Sequence, residues 1–454
     1  MNNGIPWIIT RRRKIISFLI DFSITTFFYN FFYVEEFETY PNKIVPLSIT
    51  FFWVTISYIL GRYSGSKFFN YESFAKSLLK IIFLFILCNI IYLFINLSIP
   101  LLFHSGDVFY EHFSIELSNF FIRIIFYISI TSLFFQYVFI SLTQKIIDRK
   151  ENWIFIGSNE KFRNLVKEIK LQEKNINVIQ NNKFEPSQKA ILRSLNGIII
   201  EDLNSLDKSK LKNILKLEGI KVETLLIWFE REFHRIPSEL IINKYELLLG
   251  FKSLDYKYQL RVKRVGDILA SLILIFITAP ITLLISLLII IEDKGPIFYS
   301  QIRTGMNGER IKIFKFRSMR IDAEREGIQW SNSLDKRITK VGKIIRATRI
   351  DELPQLLCVI NGSMSLIGPR PERPEIEQKL LSEIPFYNHR YIFKPGLSGW
   401  AQVNYPYGAS VSDTEKKLSF DLYYISHFSL FLDLLILLKT IKLVIRAKGS
   451  KPNK

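Results

Sequence analysis

The chain has 454 residues, of which 48% are hydrophobic, and it carries a formal net charge of +19. High apolar content with strong positive charge is more typical of a membrane protein with cationic cytoplasmic faces than of a nucleic-acid-binding protein, so no nucleic-acid partner is expected. Only two cysteines occur, Cys88 and Cys358, and the five histidines are scattered. These numbers argue against a disulfide framework and against a zinc site.

Four long apolar runs fill the first third of the chain. They are Ile15–Val34, Ile44–Leu60, Leu78–Phe103 and Phe120–Leu142. Each is near the ~20 residues that a helix needs to cross a bilayer, so residues 1–150 are predicted to form four transmembrane helices. Buried helices of a large soluble protein are the alternative, and four such runs disfavour it.

The charges between these runs predict an orientation. Basic residues cluster before the first run, between the second and third, and after the fourth, whereas the other two loops carry acidic residues. By the positive-inside rule, both ends of the bundle lie in the cytoplasm.

Short apolar runs separated by charged helical segments follow from residue 151. They read WIFIG, INVI, NGIIIED and VETLLIWF. The alternation predicts a Rossmann-like parallel α/β module over residues 151–255, on the cytoplasmic side. A dinucleotide site needs G-x-G-x-x-G after the first strand, but the turn GSNEKF holds Gly157 alone. This degenerate fingerprint favours a structural or regulatory module over a dinucleotide binder.

A further apolar run, Ile268–Ile291, is long enough to span a bilayer. Positive charge lies on both of its flanks, which favours a segment that enters and leaves on one face. Pro280 sits at mid-run, where its ring and missing N–H kink a helix. We therefore predict a re-entrant hairpin, helix–break–helix, over residues 262–292, with an uninterrupted crossing as the alternative.

The last segment, residues 256–454, is predicted to be a small α+β catalytic domain that includes this hairpin. The stretch KGPIFYSQIRTGMNGERIKIFKFRSM predicts a β-hairpin around GMNGE. The hairpin places Arg303, Lys315 and Arg317 on one compact unit, as candidates for phosphate or substrate binding. Each of them, taken alone, is also typical of a solvated surface cation.

An adjacent pair of acids stands in RATRIDELPQL, residues 346–356. Pro354 suits the first position of a helix, since its absent N–H would be unpaired there anyway. That places Asp351 and Glu352 at a helix N-terminus, where free N–H groups and the dipole attract anions. A simple helix cap is the alternative role for such a pair.

The pair also suits phosphoryl transfer. One carboxylate can attack phosphorus to form an acyl phosphate, while its neighbour helps to hold Mg²⁺. Arg346 and Arg349 can pair with phosphate oxygens, and cations are needed because two acids repel a diphosphate. We therefore predict Asp351 and Glu352 as catalytic residues and metal ligands, with the two arginines as phosphate ligands.

Two downstream segments add candidate substrate-binding residues. GPRPERP holds Arg370 between two prolines, which gives the backbone a stiff extended support. KPGLSGWAQVN contains two glycines with Trp400 and Gln402, and it suits a loop that closes over a base or a sugar. A tight turn with Trp400 as a membrane-interface anchor fits equally well.

These segments together resemble the bacterial sugar transferases, the monotopic polyprenyl-phosphate phosphoglycosyl transferases. The matching pieces are KRVGD, GPIFYSQIRTGMNGERIKIFKFRSM, LDKRITKVGKIIRATRIDELPQLLCVINGSMSLIGPRPERP and KPGLSGWAQVN, within about the last 190 residues. The helix bundle, the α/β module and VNYPYGASVSDTEKKLSFDLYYI are similar to the long-chain branch, which starts capsule or exopolysaccharide assembly.

The resemblance implies a two-step reaction in the bacterial inner (cytoplasmic) membrane. The residue matching Asp351 attacks the β-phosphate of a UDP-sugar and expels UMP, and undecaprenyl phosphate then takes the sugar phosphate. By the same match, Glu352 is tied to Mg²⁺ and Arg346 binds phosphate. The implied protein is multi-pass, contacts membrane lipid, keeps its catalytic domain on the cytoplasmic face and forms a homodimer. The family's usual Ser-Pro is Ala279-Pro280 here, which loses a hydroxyl that would stabilise the kink.

Two other functions account for part of the sequence. A membrane-bound nucleotide-sugar dehydratase would have a similar front half, but it needs the glycine fingerprint that GSNEKF lacks. A non-catalytic scaffold for polysaccharide assembly leaves the coincidence of acids, arginines and helix terminus unexplained. No residue indicates which hexose is transferred.

Overall fold

The structure is a computed structural model. It describes residues 12–39, 44–63, 78–90, 119–147, 151–171, 175–182, 195–201, 220–241, 256–323, 335, 337–405 and 410–445. The chain divides into two compact units, Met1–Val222 and Glu223–Lys454.

The first unit begins with four apolar helices. They are α1 (Arg12–Phe37), α2 (Ile44–Leu60), α3 (Leu78–Ile90) and α4 (Asn119–Ile147). Side chains from all four share one buried cluster, which includes Tyr29, Trp53, Leu84 and Ile124. Helices α1 and α4 are long and apolar enough to cross a membrane, whereas α2 and α3 are shorter. The rest of the third predicted run, residues 91–103, lies outside the described residues.

A buried polar network around Asp21, whose side chain is fully buried, joins α1, α4 and the turn that follows α2. One of its oxygens accepts hydrogen bonds from Ser132 (2.6 Å) and Gln136 (3.0 Å). The other accepts from Arg62 (3.0 Å) and Tyr63 (2.8 Å). A carboxylate in an apolar bundle needs this degree of pairing, because an uncompensated buried charge is costly.

The predicted parallel sheet is confirmed. It consists of β1 (Glu151–Ile156), β2 (Ile176–Gln180), β3 (Gly197–Ile200) and β4 (Lys221–Thr224) in the order β2-β1-β3-β4, with α5 (Asn159–Leu171) after β1. Strand β1 pairs in parallel with both β2 and β3. All four residues of β3, GIII, are buried, as expected for a strand covered on both faces.

The turn after β1 is filled by protein groups. The Gly157 N–H donates to the Asn182 side chain (3.0 Å), and the Ser158 N–H donates to a Glu201 carboxylate oxygen (2.6 Å). A Cβ at Gly157 would lie 2.6 Å from the Glu201 Cβ. Glu201 therefore places an anion at the start of α5, where a dinucleotide would need its own phosphate to lie. This arrangement favours a structural module.

The second unit begins where the run VETLLIWF changes from strand to helix, so the prediction of a strand over the whole run was wrong. Thr224 caps α6 (Leu225–Phe233) by accepting from the Ile227 N–H (3.4 Å). Leu225, Trp228 and Phe233 are buried at helical spacing. This helix belongs to the second unit, whereas the sequence placed it in the module 151–255. The domain limits stay a prediction.

Helix α7 (Tyr256–Asp293) contains Pro280 and is the third helix long and apolar enough to cross a membrane. The helix runs through Pro280 without interruption, so the two halves of the predicted helix–break–helix form one helix, and its re-entrant course stays a prediction. Hydroxyl bonds flank the proline, from Thr278 to the Leu274 carbonyl oxygen (2.7 Å) and from Thr282 to the Ala279 carbonyl oxygen (2.9 Å). Such bonds bend helices, and these neighbours supply the hydroxyls that Ala279 lacks.

Both ends of α7 contact the same part of the second unit. Near its start, Arg264 donates to the Ile360 carbonyl oxygen (2.7 Å). Toward its end, Ile285 and Ile289 belong to a buried cluster on which Leu353 packs. The two contact points in the folded domain are thus only seven residues apart in sequence.

The predicted β-hairpin is confirmed. Strands β5 (Phe298–Thr304) and β6 (Arg310–Phe316) pair antiparallel, and the turn places Asn307 and Gly308 at positive φ. The remaining elements are α8 (Lys340–Ala347), a 3₁₀ helix (Ile350–Gln355), α9 (Leu356–Ile360), β7 (Ser365–Ile367), α10 (Pro374–Glu383), a 3₁₀ helix (Tyr387–Ile392), β8 (Gly396–Ser398), α11 (Trp400–Asn404), α12 (Val411–Ser426) and α13 (Leu430–Ile445). Strands β7 and β8 pair in parallel.

Candidate active site

The acid pair lies in the first turn of the 3₁₀ helix Ile350–Gln355, so its predicted position at a helix N-terminus is confirmed. Pro354 is inside this helix rather than at its first position, which corrects the prediction. The helix starts earlier because Arg349 adopts a left-handed conformation (φ 58°) that turns the chain after α8. The Glu352 N–H then donates to the Arg349 carbonyl oxygen (3.2 Å), as a 3₁₀ turn requires.

Three cations converge on the Glu352 carboxylate, and Glu352 is only 8% exposed. One oxygen accepts from Arg370 (2.7 Å) and Lys315 (3.3 Å), and the other faces Arg349 (3.5 Å). Burial alone would raise the pKa of this carboxyl, but the charges of Arg370 and Lys315 outweigh it and hold the pKa well below its usual range. Glu352 is therefore a firmly ionised group.

Asp351 contrasts with its neighbour. It is 9% exposed, and within the described parts of the chain its carboxylate accepts no side-chain hydrogen bond and enters no ion pair. Burial and the negative charge of Glu352 raise the pKa of Asp351 to about 6. A poorly solvated carboxylate with free lone pairs is suited to attack an electrophile, because it has few bonds to give up first.

The surrounding cations come from separate elements. Lys315 lies on β6, Arg370 follows β7, and Arg349 stands between α8 and the 3₁₀ helix. Arg346, in the last turn of α8, is near enough for its charge to lower the pKa of Asp351. The fold thus brings together two acids and four cations that the sequence predicted to act jointly. Their roles in the reaction stay a prediction.

The other two cations of the hairpin have different partners. Arg303 donates to the Gln301 side-chain oxygen (2.6 Å) and lies 3.7 Å from a Glu372 carboxylate oxygen. Arg317 follows the last residue of β6 and pairs with Asp293 at the end of α7. Neither forms an ion pair with Asp351 or Glu352 among the described residues, and each pairs with a carboxylate in its own neighbourhood.

Trp400 was predicted to lie in a loop over a base or sugar, or in a turn as a membrane-interface anchor, but its side chain is buried and only 1% exposed. The segment WAQVN forms helix α11 rather than an open loop, and the indole N–H donates to the His234 carbonyl oxygen (2.9 Å). Lys439 covers the ring, with its ammonium 4.4 Å from the ring centroid. Gln402 donates to the Leu397 carbonyl oxygen (3.3 Å). Substrate contacts by Trp400 and Gln402 stay predictions.

Arg390 is a positioning residue that the sequence reasoning missed. It is 6% exposed, and it donates to the Arg370 carbonyl oxygen (2.7 Å) and to Asp421 (3.0 Å). It therefore fixes the backbone that carries Arg370 toward Glu352. Residues 390 and 421 are paired across 31 positions, and a single sequence holds no periodic signal for such a pair.

Two glycines also set the position of Arg370. The Gly368 N–H donates to the Ser398 carbonyl oxygen (2.8 Å) where β7 meets β8. A Cβ at Gly396 would lie 2.1 Å from the Gly368 nitrogen. Only glycine permits this approach of two backbones, and the approach places the GPRP segment beside the acid pair.

Apolar helices of membrane-spanning length indicate the class of protein, a membrane-associated protein, and its second unit contains a buried acid pair surrounded by cations. Residues 258–447 match the model of the family described as bacterial sugar transferase. Together with the relatives described next, this match shows that the chain belongs to the bacterial sugar transferase family.

The relatives match within the same region. The chain is 46% identical over 190 residues to UDP-N-acetylgalactosamine-undecaprenyl-phosphate N-acetylgalactosaminephosphotransferase of Aeromonas hydrophila, covering 42% of this chain and 45% of that protein. It is 39% identical over 181 residues to UDP-glucose:undecaprenyl-phosphate glucose-1-phosphate transferase of Klebsiella pneumoniae, covering 39% of each. The exopolysaccharide production protein PSS of Rhizobium leguminosarum bv. phaseoli is 38% identical over 186 residues, covering 40% of this chain and 93% of that protein. The chain therefore spans less than half the length of the first two relatives.

Proposed function

We propose that this chain transfers a sugar 1-phosphate from a UDP-sugar to undecaprenyl phosphate, releasing UMP, as an early membrane step of glycan assembly. The observation that carries the proposal is the free, buried carboxylate of Asp351 beside a Glu352 that gathers three cations. The names of the two relatives that contain both substrates support the choice of donor and acceptor.

The reaction proceeds in two displacements. An Asp351 oxygen forms a bond to the β-phosphorus, the bond from that phosphorus to the oxygen bridging the two phosphates breaks, and UMP leaves with the electron pair. An oxygen of undecaprenyl phosphate then attacks the same phosphorus, and the bond to Asp351 breaks to restore the carboxylate. Both displacements move negative charge, which the cations around Glu352 are placed to stabilise.

Mg²⁺ fits this site as an ion shared with substrate. Among the described residues, no group of three or more acidic, histidine or cysteine side chains forms a ready metal site. Mg²⁺ is usually held by one or two carboxylates with the remaining ligands from phosphate and water, so Asp351 and Glu352 would hold it. When bound, the ion neutralises charge on the diphosphate. Lys315, Arg349 and Arg370 bond to Glu352, and each has further N–H groups that could donate to phosphate oxygens.

We further propose that α7 is re-entrant and that the catalytic domain lies at the cytoplasmic face of the inner membrane. A straight helix would separate residues 264 and 285 by about 32 Å, whereas their contact points near residues 360 and 353 are about 12 Å apart along the chain. A bend near Pro280 reconciles the two lengths. The apolar faces of α7 between the contacts support insertion, since Phe276 is 83% exposed.

The topology has its own test. A reporter fused after Lys454 should be cytoplasmic, as should one inserted before Arg12, because a four-span bundle followed by a re-entrant segment keeps both ends inside. A C-terminal reporter found outside the cell would contradict the re-entrant helix while leaving the chemistry open.

The reaction is tested by measuring UMP release from a panel of UDP-sugars by the full chain, with and without undecaprenyl phosphate. The Asp351→Asn variant is expected to lose activity by about 10⁴-fold or more, because the nucleophile is removed. Asp322→Asn, the same change at an exposed site, serves as the control and should stay within about twofold of the unmodified chain. Full activity in Asp351→Asn would contradict the proposal.

A further inference from the structure

Helix α13 presents a stripe of apolar side chains along one of its faces. The stripe follows helical spacing and consists of Phe431, Leu434, Leu438, Ile441 and Ile445, all exposed except the half-buried Leu438. Phe431 is 72% exposed and Ile445 is 65% exposed. Single exposed apolar residues are common on protein surfaces, but a stripe that continues over about four turns indicates a contact surface.

Another face of α13 packs on the folded domain. Leu432 and Ile436 are fully buried, and the Thr440 hydroxyl lies 2.6 Å from the Ser398 hydroxyl of β8. The 16 residues of the helix extend about 24 Å, which is less than the ~30 Å thickness of a hydrocarbon core. Helix α13 is therefore too short and too firmly packed to cross a bilayer, and its stripe suits a partner that lies along one side of it.

The start of α13 is bonded to the start of α7. The Lys263 ammonium lies 2.7 Å from an Asp433 carboxylate oxygen, and both side chains are largely buried. Lys263 stands in the basic stretch RVKR, just before the apolar run Ile268–Ile291. Where α7 enters a bilayer, this ion pair lies at the level of the lipid headgroups, and α13 begins at that level.

The other limit of the apolar run is bonded in a similar way. Glu292 follows the run and accepts hydrogen bonds from the backbone N–H groups of Lys340 (2.6 Å) and Val341 (3.2 Å), the first residues of α8. Ile344 on α8 is 62% exposed. Each limit of the run is thus bonded to a helix that exposes apolar side chains.

The charges near these helices indicate the chemistry of the partner. Lys340, Lys343 and Arg346 lie on α8, and the sequence after α13, RAKGSKPNK, has four basic residues and no acidic one. Cations beside an exposed apolar face suit anionic headgroups above acyl chains. Because both helices are bonded to the limits of a run apolar enough for a membrane, lipid fits this surface better than a second protein does.

We propose that α13 lies in the plane of the inner-leaflet surface, with its apolar stripe among the acyl chains, and that Ile344 of α8 makes a second lipid contact. The inference rests on the membrane insertion of α7 proposed above, and it specifies which face of the catalytic domain contacts lipid. The apolar face of such a helix is buried by about 5–10 Å at the boundary between headgroups and acyl chains.

The test measures the depth of nitroxide labels on the full chain in vesicles of phosphatidylethanolamine and phosphatidylglycerol. Labels are attached to Phe431→Cys, Ile441→Cys and Ile344→Cys. Cys88 and Cys358 are buried, and the unsubstituted chain measures their background. Depth follows from the ratio of collisions with oxygen, which enters the bilayer, to collisions with a water-soluble nickel complex. All three labels should lie about 5–10 Å below the lipid phosphates.

Two further variants serve as controls. Leu381→Cys is the matched control in water, since Leu381 is a 47% exposed leucine on α10 of the same unit. Its label should collide freely with the nickel complex. Phe276→Cys is the control in lipid, since Phe276 is 83% exposed near the middle of α7. Its label should lie deeper than the other four.

The outcomes separate this inference from the proposals on which it rests. Nickel collisions at Phe431→Cys and Ile441→Cys as frequent as at Leu381→Cys would overturn the inference. Spectral broadening between labels on two chains would overturn it in favour of a second copy as the occupant. A Phe276→Cys label in water would instead contradict the insertion of α7. The depth measurement needs no turnover, so a lack of UMP release would count against the proposed reaction alone. Should Phe431→Cys not fold, Ile441→Cys decides the matter, because it lies on the same stripe.

Discussion

Asp21 and Asp351 are both buried aspartates with basic side chains nearby, and their carboxylates are bonded in opposite ways. Asp21 in the helix bundle uses both carboxylate oxygens in four hydrogen bonds, including one from Arg62. Asp351 in the second unit has comparable burial and cations nearby, but those cations bond to Glu352 instead.

Under the proposed function, the difference separates an acid that holds the structure together from one that reacts. When every lone pair of a buried carboxylate is engaged, the group holds helices together and has nothing left to offer a ligand. When the neighbouring acid takes the cations, the first acid keeps its lone pairs free while the positive charge stays close. Burial and nearby cations are common to Asp21 and Asp351, so the free carboxylate oxygens of Asp351 are the feature on which its proposed role rests.

The largest effect beyond loss of the nucleophile is expected from Glu352→Gln. This change removes the charge on which Lys315, Arg349 and Arg370 converge, so UMP release should fall about a hundred- to a thousandfold. It should also lower the pKa of Asp351, since the charge of Glu352 raises it. Steady-state kinetics over a range of pH measure both. A variant that keeps its activity would remove Glu352 from the reaction.

Substitution of Asp21 should lower the stability of the protein rather than its catalytic rate. Asp21→Asn leaves Arg62 without its buried counter-charge, so the free energy of unfolding should fall by about 3 kcal/mol. Unfolding of the purified protein in detergent measures this change, and UMP release per folded molecule should be close to that of the unmodified chain. Unaltered stability would show that the network around Asp21 does not hold the bundle.

The pH dependence of kcat/KM tests the environment of Asp351. Because the folded-state pKa of Asp351 is raised to about 6, the reactive carboxylate is lost as pH falls through that value. For the free enzyme, kcat/KM should drop about tenfold per pH unit below it. A limb near pH 4, the ordinary range of an aspartate, would contradict the environment assigned to this residue.

The smallest effect is expected where an ion pair of the bundle is exposed. Arg123 and Glu36 are joined at 2.8 Å, but both side chains are about 40% exposed. Glu36→Gln should therefore lower the free energy of unfolding by less than about 1 kcal/mol, in the same detergent assay. A loss as large as that of Asp21→Asn would mean that burial does not distinguish the two pairs.

Local patterns predicted much of this molecule. The apolar runs indicated the helices of the bundle, the β-hairpin followed from GMNGE, and the acid pair was placed at a helix start. These features depend on residues close together in sequence. The run VETLLIWF was wrongly predicted to be a strand because its apolar residues are compatible with a strand or a helix. In the structure, Thr224 is the N-cap of a helix that takes up the second half of the run.

The arrangement of the site could not be predicted from the sequence, because it depends on how distant segments pack in the folded domain. Lys315 and Arg317 stand two residues apart, yet one bonds to Glu352 and the other to Asp293, which depends on where β6 ends against α7. The glycines before Trp400 indicated a loop, but its ring is buried and stacks on Tyr423 of α12, with ring centroids 6.0 Å apart. Arg390 carries no local signal at all, since its partner lies on a distant helix.

The most direct test of Asp351 as the nucleophile is the intact mass of the protein after brief exposure to its UDP-sugar, without undecaprenyl phosphate. We expect the mass to rise by one sugar phosphate, with the adduct on the peptide that contains Asp351. The adduct should disappear when undecaprenyl phosphate is added, and Asp351→Asn should not form it. Continued UMP release with no adduct on rapid quenching, or an adduct on another residue, would contradict the account.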